Sequence, residues 1–390
     1  MPESRKTPPG SRSPRYLLPI LAAVLIGYFL ARQVNGWRIQ SDGAERQFSV
    51  MNTYARITIP PGHGSEKAAE ELANLAEDAI RDVDRRMRPS GDASEIGRLN
   101  ASDPGEWLDV SPATWTVVME SLRWHRLTDG AFDPTIGPIK RLFRFDKREI
   151  TNWPSEEEVS TARERVGAEK LRFQREGMRL SWSRDGMTLD LGGIAKGYGV
   201  DQAIAALQEQ GVSNALVEVG GEVRGLGQKS SQPPQPWRTG IMNPRGEGIQ
   251  VLEYDQGRAI ATSGDYNQFF TYQGERYTHI IDPRQGRPLP SGVAAVTVIH
   301  PNSCLAADAL ATTLMVLGRE AGRDFLASQA LGLFREGLEV RLYLEDSEGQ
   351  LKQVTFGVDQ QGGFSEEEEE AVFRLSSPTP EPTPLPGTTG

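Results

Sequence analysis

Two stretches far apart in the chain carry residue types suited to holding a pyrophosphate on a divalent cation: DLGGIAKGYGVD at 190–201 and ADALATT at 307–313. In the second, Asp308 and Thr312 stand four residues apart, and on a helix that spacing stacks a carboxylate and a hydroxyl on one face. Mg²⁺ prefers about six oxygen ligands and commonly takes one or two from protein carboxylates, leaving the rest to water and substrate phosphates. A small oxygen clamp suits that ion. In the first stretch, Gly192 and Gly193 follow a short apolar strand pattern and precede a helical one, so bare backbone can approach an anion at a helix N-terminus. Lys196 adds a positive charge nearby. Each half alone also has a plainer reading, since Asp and Thr at helical spacing also form a capped or solvated face and Gly-Gly after a strand also makes a turn.

Four more segments accompany the pair: MNTYARI at 51–57, GAFDPTIGPI at 130–139, ATSGDYNQFF at 261–270 and YTHIIDPRQGRP at 277–288. Taken in order, the six segments resemble those of the ApbE-type flavin transferases, over about residues 48–357. The resemblance implies an α+β fold, a two-lobed body with flavin in the cleft between its lobes. It also implies an activity: Mg²⁺-dependent cleavage of FAD, with FMN transferred to a threonine hydroxyl of an acceptor flavoprotein and AMP released. By the same resemblance, Asp308 and Thr312 are metal-binding side chains and Gly193 offers its backbone carbonyl to the ion. Met51, Ala131, Phe132, Asp133, Asp190, Lys196 and Asp282 fall at flavin- or phosphate-contacting positions, and His279 at the proton-handling one.

The residues themselves leave some of these roles open. Imidazole has a reference pKa near 6.5, so His279 can accept a hydroxyl proton at neutral pH; a lone histidine in a strand can equally be a satisfied core group. Asp282 orients a ligand or caps a turn before Pro283. Asp190 suits a strand-terminal turn, Lys196 a solvated helix face, and Phe132 ordinary core. The chain departs from the family pattern at Asn52, where glycine is commoner, although Asn tolerates positive φ. It departs again at Pro89 and Ser90, where the family often has an aromatic, and at Glu222, where aspartate usually follows the glycine pair 220–221. A bulge or tight bend accounts for that second pair.

The elements that must position these groups alternate in type. Apolar residues at Leu72, Leu75, Ala76, Ala79, Ile80 and Val83 recur at three and four, predicting an amphipathic helix over 65–87. Alternation predicts strands at 216–219 and 293–299. The pattern is no regular βαβ series, and no GxGxxG follows an early strand, so an α+β body is expected rather than a doubly wound sheet.

Composition excludes several classes. The chain has 390 residues and a formal net charge of −10, and because residues 1–15 carry four basic groups against Glu3, the remainder sums to −13. Nucleic acid is not an expected partner. One cysteine, Cys304, and four scattered histidines suggest neither a disulfide nor a zinc site.

The expected organisation is a basic cytoplasmic segment (1–15), a transmembrane anchor or signal segment (16–34), a linker (35–47), the transferase domain (48–357) and an acidic, Pro/Thr-rich disordered tail (358–390). The apolar run 16–31 would span about 24 Å as a helix, and its basic flank places the body outside the inner membrane, facing the periplasm or exterior. No small-x-small pattern follows it, favouring an anchor over a cleaved signal. Many members of the family are lipoproteins, but no cysteine follows the run here. SSQPPQP at 230–236 reads as a surface loop. Three functions are compatible with this constellation: an FMN transferase acting on subunits of membrane redox complexes, a Mg²⁺-dependent FAD pyrophosphatase, and a non-catalytic flavin-binding carrier.

Overall fold

Strands with apolar residues on both faces must be covered on both, and here they build one large sheet between two layers. The computed structural model describes residues 37–38, 43–143, 145, 152–231, 233–254, 257–266, 269–290, 292–329, 337–346, 348–359 and 363–374. The expected basic segment and apolar run therefore lie outside the described residues, among which no helix is long and apolar enough to cross a membrane. The sheet has ten strands, and its spatial order is the chain order: Trp37–Arg38, Ala44–Val50, Thr53–Ile59, Ala215–Val219, Glu222–Leu226, Ala259–Gly264, Val293–His300, Leu338–Glu345, Leu351–Val358 and Phe364–Glu370. Every neighbouring pair is antiparallel. The fold is thus an α+β one, as expected, with helices and small sheets inserted between neighbouring strands.

Alternation along the strands sorts side chains to two sides. Ala215, Val217 and Val219 pack with Ile80, Val200 and Ile204 of the helices Glu66–Met87 and Ala195–Glu209. Val296, Val298, Val340 and Leu342 pack with Leu310 and Leu314 of the helix Cys304–Gln329, which is broken by a kink at Gly318 (φ 70°). On the opposite face, Leu216, Val223, Ile260 and Tyr343 meet Trp237, Leu252 and Tyr254 of the hairpin formed by Trp237–Met242 and Ile249–Tyr254. A smaller packing centre lies beside the sheet, where Phe143, Val159, Phe270 and Ile281 join the short helices Gly137–Phe143 and Glu156–Arg163 to a three-stranded sheet spanning 269–290.

Helix starts follow their serines. Ser65, Ser94, Ser111 and Ser155 each accept a backbone N–H of the first turn, and Ser155 with Glu158 forms a reciprocal capping box. Two other helices are capped by each other. Asp201, in the helix Ala195–Glu209, accepts the N–H groups of Cys304 (3.0 Å) and Leu305 (3.0 Å) at the start of the other helix. Asp308, in that second helix, accepts the Gly197 N–H (3.0 Å) in the first turn of the former, which has no side-chain cap of its own. Both carboxylates sit where helix dipoles favour negative charge.

Three boundaries differ from expectation. The body begins before residue 48, with Ala44–Val50 paired to Thr53–Ile59. Residues 230–236 include a short hairpin, Ser230–Ser231 against Pro234–Gln235. The segment read as the start of a disordered tail contains the sheet's last strand, Phe364–Glu370. Composition pointed to solvated chain, but Phe364 stacks on Phe356 (5.8 Å between centroids), and Arg319 neutralises Glu366 (2.8 Å) and Glu368 (2.7 Å). The acidic row also guards an exposed edge against pairing with other chains. Residues 375–390 lie outside the described residues.

His300 closes the strand before the helix Cys304–Gln329, its Nδ1 accepting the N–H groups of Asn302 (3.3 Å) and Ser303 (3.1 Å). Burial, aided by Arg224, depresses its pKa to about 4. The unfolded chain, with an ordinary histidine near 6.5, binds the extra proton first. The stabilising contribution is therefore full above 6.5 and is lost progressively as pH falls toward 4. Urea denaturation of the wild type and His300→Gln across pH 4–7 should show the gap between them changing below 6.5 and constant above it.

Candidate functional site

The mutual capping brings the two glycine- and oxygen-bearing stretches together at one end of the sheet. Gly197 permits it: a Cβ there would lie 2.2 Å from the Cys304 carbonyl oxygen. The helices can approach this closely only with glycine at that position. From the preceding residue, the Lys196 ammonium lies 3.2 Å from Asp308 Oδ1 and 3.0 Å from Glu222 Oε1, and it also donates to the Gly192 carbonyl (3.3 Å).

Both acids are almost fully buried, with Asp308 at 1% and Glu222 at 2% exposure. Glu222 Oε2 is buried with no hydrogen-bond partner. Burial pushes the Glu222 carboxyl up to about 7, with the Asp308 charge adding to the shift and Lys196 opposing it. Burial alone would lower Lys196, but the two carboxylates outweigh it and hold the ammonium well above its ordinary value.

Thr312 lies one turn beyond Asp308 on the same helix, its hydroxyl 3.4 Å from that of Ser263. Gly193 faces it: a Cβ at Gly193 would stand 3.2 Å from Thr312 Oγ1 and 3.3 Å from the Phe132 ring. Phe132 and Ala131 are themselves buried in the main core. Met51 and Asn52 form the two-residue turn between the second and third strands, both at positive φ (50° and 57°), the geometry of a type I′ hairpin. Asn52 suits it; for Met51 the conformation is uncommon and costs free energy. The Met51 side chain packs on the helix Ala195–Glu209, its Cε 3.3 Å from where a Gly199 Cβ would be.

Asp190 pairs with Lys140 (2.6 Å) and accepts the Gly192 N–H (2.9 Å). Burial alone would raise this carboxyl, but Lys140, the Gly192 N–H and the nearby His279 together hold it below the usual carboxylate range. His279, half-buried on the strand Glu275–Asp282, thus lies within electrostatic reach of Asp190. The backbone N–H of Asp190 donates to Pro134 O (2.7 Å), tying that loop to the 130–139 segment.

Asp308, Thr312, Gly193, Lys196, Phe132, Asp190 and His279 consequently share one neighbourhood. Two other candidates are engaged locally. The Asp133 carboxylate accepts from the backbone N–H (2.8 Å) and hydroxyl (2.6 Å) of Thr135 and lies 3.3 Å from His125 Nδ1, too poorly aligned for a good hydrogen bond. Asp282 accepts from the Arg284 guanidinium and backbone N–H, and from Gln285 (3.1 Å). That is the turn-capping alternative of its two readings.

Sequence reasoning noted Glu222 only as a departure from the family's aspartate and gave it no role, and it passed over Lys140 and Ser263. Glu222 had a signal, an acid directly after Gly-Gly between two apolar strands. Lys140 and Ser263 had none, because only the fold brings them to Asp190 and Thr312. Among the described residues, no three His, Cys, Asp or Glu side chains cluster as a metal cage, so any ion here must draw on hydroxyl, carbonyl and substrate oxygens as well.

A sheet in strict chain order, with carboxylate and hydroxyl oxygens gathered beside two mutually capped helices, marks an α+β class unlike the doubly wound nucleotide-binding folds. The chain belongs to the ApbE family, whose sequence model matches residues 51–334. It is 40% identical over 266 residues to the FAD:protein FMN transferase of Vibrio cholerae, spanning 67% of this chain and 77% of that one. A solved structure of the flavin transferase ApbE from Vibrio cholerae matches with a TM-score of 0.68 at 32% identity, covering 84% of this chain and 97% of that one. The ApbE protein of Thermotoga maritima matches with a TM-score of 0.70 at 30% identity, over 79% and 96%.

Replacing Gly197 with Ala should force the two helices apart. The expected cost is about 1–3 kcal/mol, as for other overpacked sites. Urea denaturation checks this, and the same variant should bind Mn²⁺, a spectroscopic stand-in for Mg²⁺, more weakly by electron paramagnetic resonance.

Proposed function

We propose that the protein is an FAD:protein FMN transferase that uses Mg²⁺. The observation that carries the reading is the convergence of Asp308, Thr312 and the Gly193 loop around the half-buried Lys196. Donor chemistry supports the ion: every available group is a hard oxygen, and two buried carboxylates stand against one ammonium, with Glu222 Oε2 unpartnered. Asp308, the Thr312 hydroxyl and the Gly193 carbonyl would hold Mg²⁺, which when bound neutralises charge developing on the pyrophosphate oxygens.

This chain's own residues supply the rest. The glycine loop lets FAD's phosphates approach bare backbone, and Lys196 sits within reach to counter their charge. Phe132 lies beside Gly193, and Met51 beside Gly199 in the helix that follows, so apolar groups back the loop and its helix. The acceptor's threonine hydroxyl attacks the FMN phosphorus, so the Oγ–P bond forms as the bond to the bridging oxygen breaks and AMP leaves. His279 takes the hydroxyl proton. Excluding water favours transfer over hydrolysis.

The acceptor in this reading is a flavoprotein subunit of a membrane redox complex. The basic segment and apolar run 1–31 support an inner-membrane anchor with the body facing the periplasm or cell exterior.

Incubating the protein with FAD, Mg²⁺ and a threonine-bearing acceptor peptide should give fluorescent peptide and one AMP per flavin attached. Free FMN with unlabelled peptide would instead mean a pyrophosphatase, and unchanged FAD a carrier. Asp308→Ala should lower transfer about 100-fold and weaken its dependence on Mg²⁺. His279→Ala should lower it about 10²–10⁴-fold while FAD still binds, measured by AMP release and flavin fluorescence titration.

A further inference from the structure

The peptide groups of Gly192 are held from two sides. Its N–H donates to Asp190 Oδ1 (2.9 Å), and its carbonyl accepts from the Lys196 ammonium (3.3 Å). The first contact is a turn in which an aspartate side chain accepts the N–H two residues on, and it leaves Gly192 exposed. A Cβ on Gly192 would stand 2.9 Å from Asp190 Oδ1 and 3.9 Å from Lys140 Nζ, so a carboxylate and a second ammonium both lie against this stretch of backbone.

Such a turn has an electrostatic cost. A carboxylate fixed beside a loop that is to receive a pyrophosphate repels it, and the repulsion is strong where the site is shielded from water. Lys196 is ill placed to offset it, because its ammonium already stands between Asp308 (3.2 Å) and Glu222 (3.0 Å). Lys140 is well placed. Its Nζ lies 2.6 Å from Asp190 Oδ2, the oxygen that Gly192 leaves unused, with the two side chains 35% and 17% exposed. The fold fixes it there. A Cβ on Gly137, at the start of the same short helix, would stand 2.2 Å from Thr188 Oγ1, and Arg141 donates to that hydroxyl (3.0 Å), so the helix abuts the chain leading into the loop.

We propose that Lys140 is a positioning residue for phosphate binding: its charge neutralises Asp190, so that the aspartate can shape the Gly192 turn without repelling the pyrophosphate of FAD. It acts through Asp190 and touches neither flavin nor phosphate in this role. The inference rests on the reading of the glycine loop as the pyrophosphate site.

Riboflavin has the same ring system and no phosphate, so it serves as the control ligand. In flavin-fluorescence titrations with Mg²⁺ and no acceptor, Lys140→Met should weaken FAD binding at least about tenfold and leave riboflavin within about twofold. The gap from wild type should narrow as salt rises, because the pair is partly exposed. Lys140→Arg should recover FAD binding to within about threefold. Lys140→Gln, which still donates to Asp190 but carries no charge, should behave as the methionine variant; recovery by glutamine would overturn the proposal. In an Asp190→Asn background, where the amide oxygen can still accept the Gly192 N–H, Lys140→Met should cost FAD no more than about twofold. A full loss there would mean that Lys140 meets the phosphates itself, and an equal loss of riboflavin would mean damage to the fold; either result overturns the charge-compensating role. Wild type separates this inference from the reading beneath it. If wild type binds FAD no more tightly than riboflavin, the loop is not a pyrophosphate site; if it prefers FAD and Lys140→Met keeps that preference, only the role of Lys140 fails. Should the methionine variant not fold, the glutamine variant decides by the same measurements.

Discussion

Two carboxylates exchanged between two helices hold this protein's chemistry in place. Asp201 caps the helix that carries Asp308, and Asp308 caps the helix that carries Asp201. Hydrogen bonds to a charged acceptor are worth about 1.5–3 kcal/mol each, so the arrangement resists both sliding and rotation of one helix on the other. Gly197 sets how close they come, and Arg224 (2.6 Å from Asp201) holds the first cap in place. Because Lys196, Thr312 and the Gly193 loop all lie within a turn of these contacts, the positions of the oxygens follow from the packing of the helices. No flexible loop has to find them.

The same packing creates an electrostatic imbalance. Asp308 and Glu222 are both buried, and Lys196 alone answers them. Burying charge is costly unless it is paired, and well-packed apolar side chains often match or exceed such a cluster in stability. A group that served stability alone would not retain Glu222 Oε2 without a partner at 2% exposure. In the proposed reading this cluster is a demand for a cation. Asp308 then has two duties, as a cap for the neighbouring helix and as an acid for the ion, and one carboxylate with two oxygens can serve both.

Much of this was legible in the chain because it was local. The 65–87 helix announces itself by periodicity, and the strands at 216–219 and 293–299 by alternation; Asp308 and Thr312 show the spacing of a one-face clamp. Non-local facts were not legible. Nothing in the order of residues says that Lys140 reaches Asp190 across 50 positions, that Asp201 belongs to the start of a helix 103 residues on, or that Glu222 faces Lys196. The acidic run misled for a related reason: Glu366 to Glu370 has the composition of solvated chain, and only Arg319, brought in from the helix Cys304–Gln329, makes it tolerable as a strand.

The two halves of the site are built from different material, and the difference suits their tasks. In the proposed reading, ion and phosphate binding needs fixed distances between hard oxygens, and the residues that would supply them sit on helices locked by reciprocal caps. The proposed proton acceptor, His279, lies instead on a strand of a small neighbouring sheet, half-buried, where it can meet an incoming hydroxyl from another protein. The regular ten-stranded sheet thus supplies the rigid floor, and the small sheet beside it supplies reach.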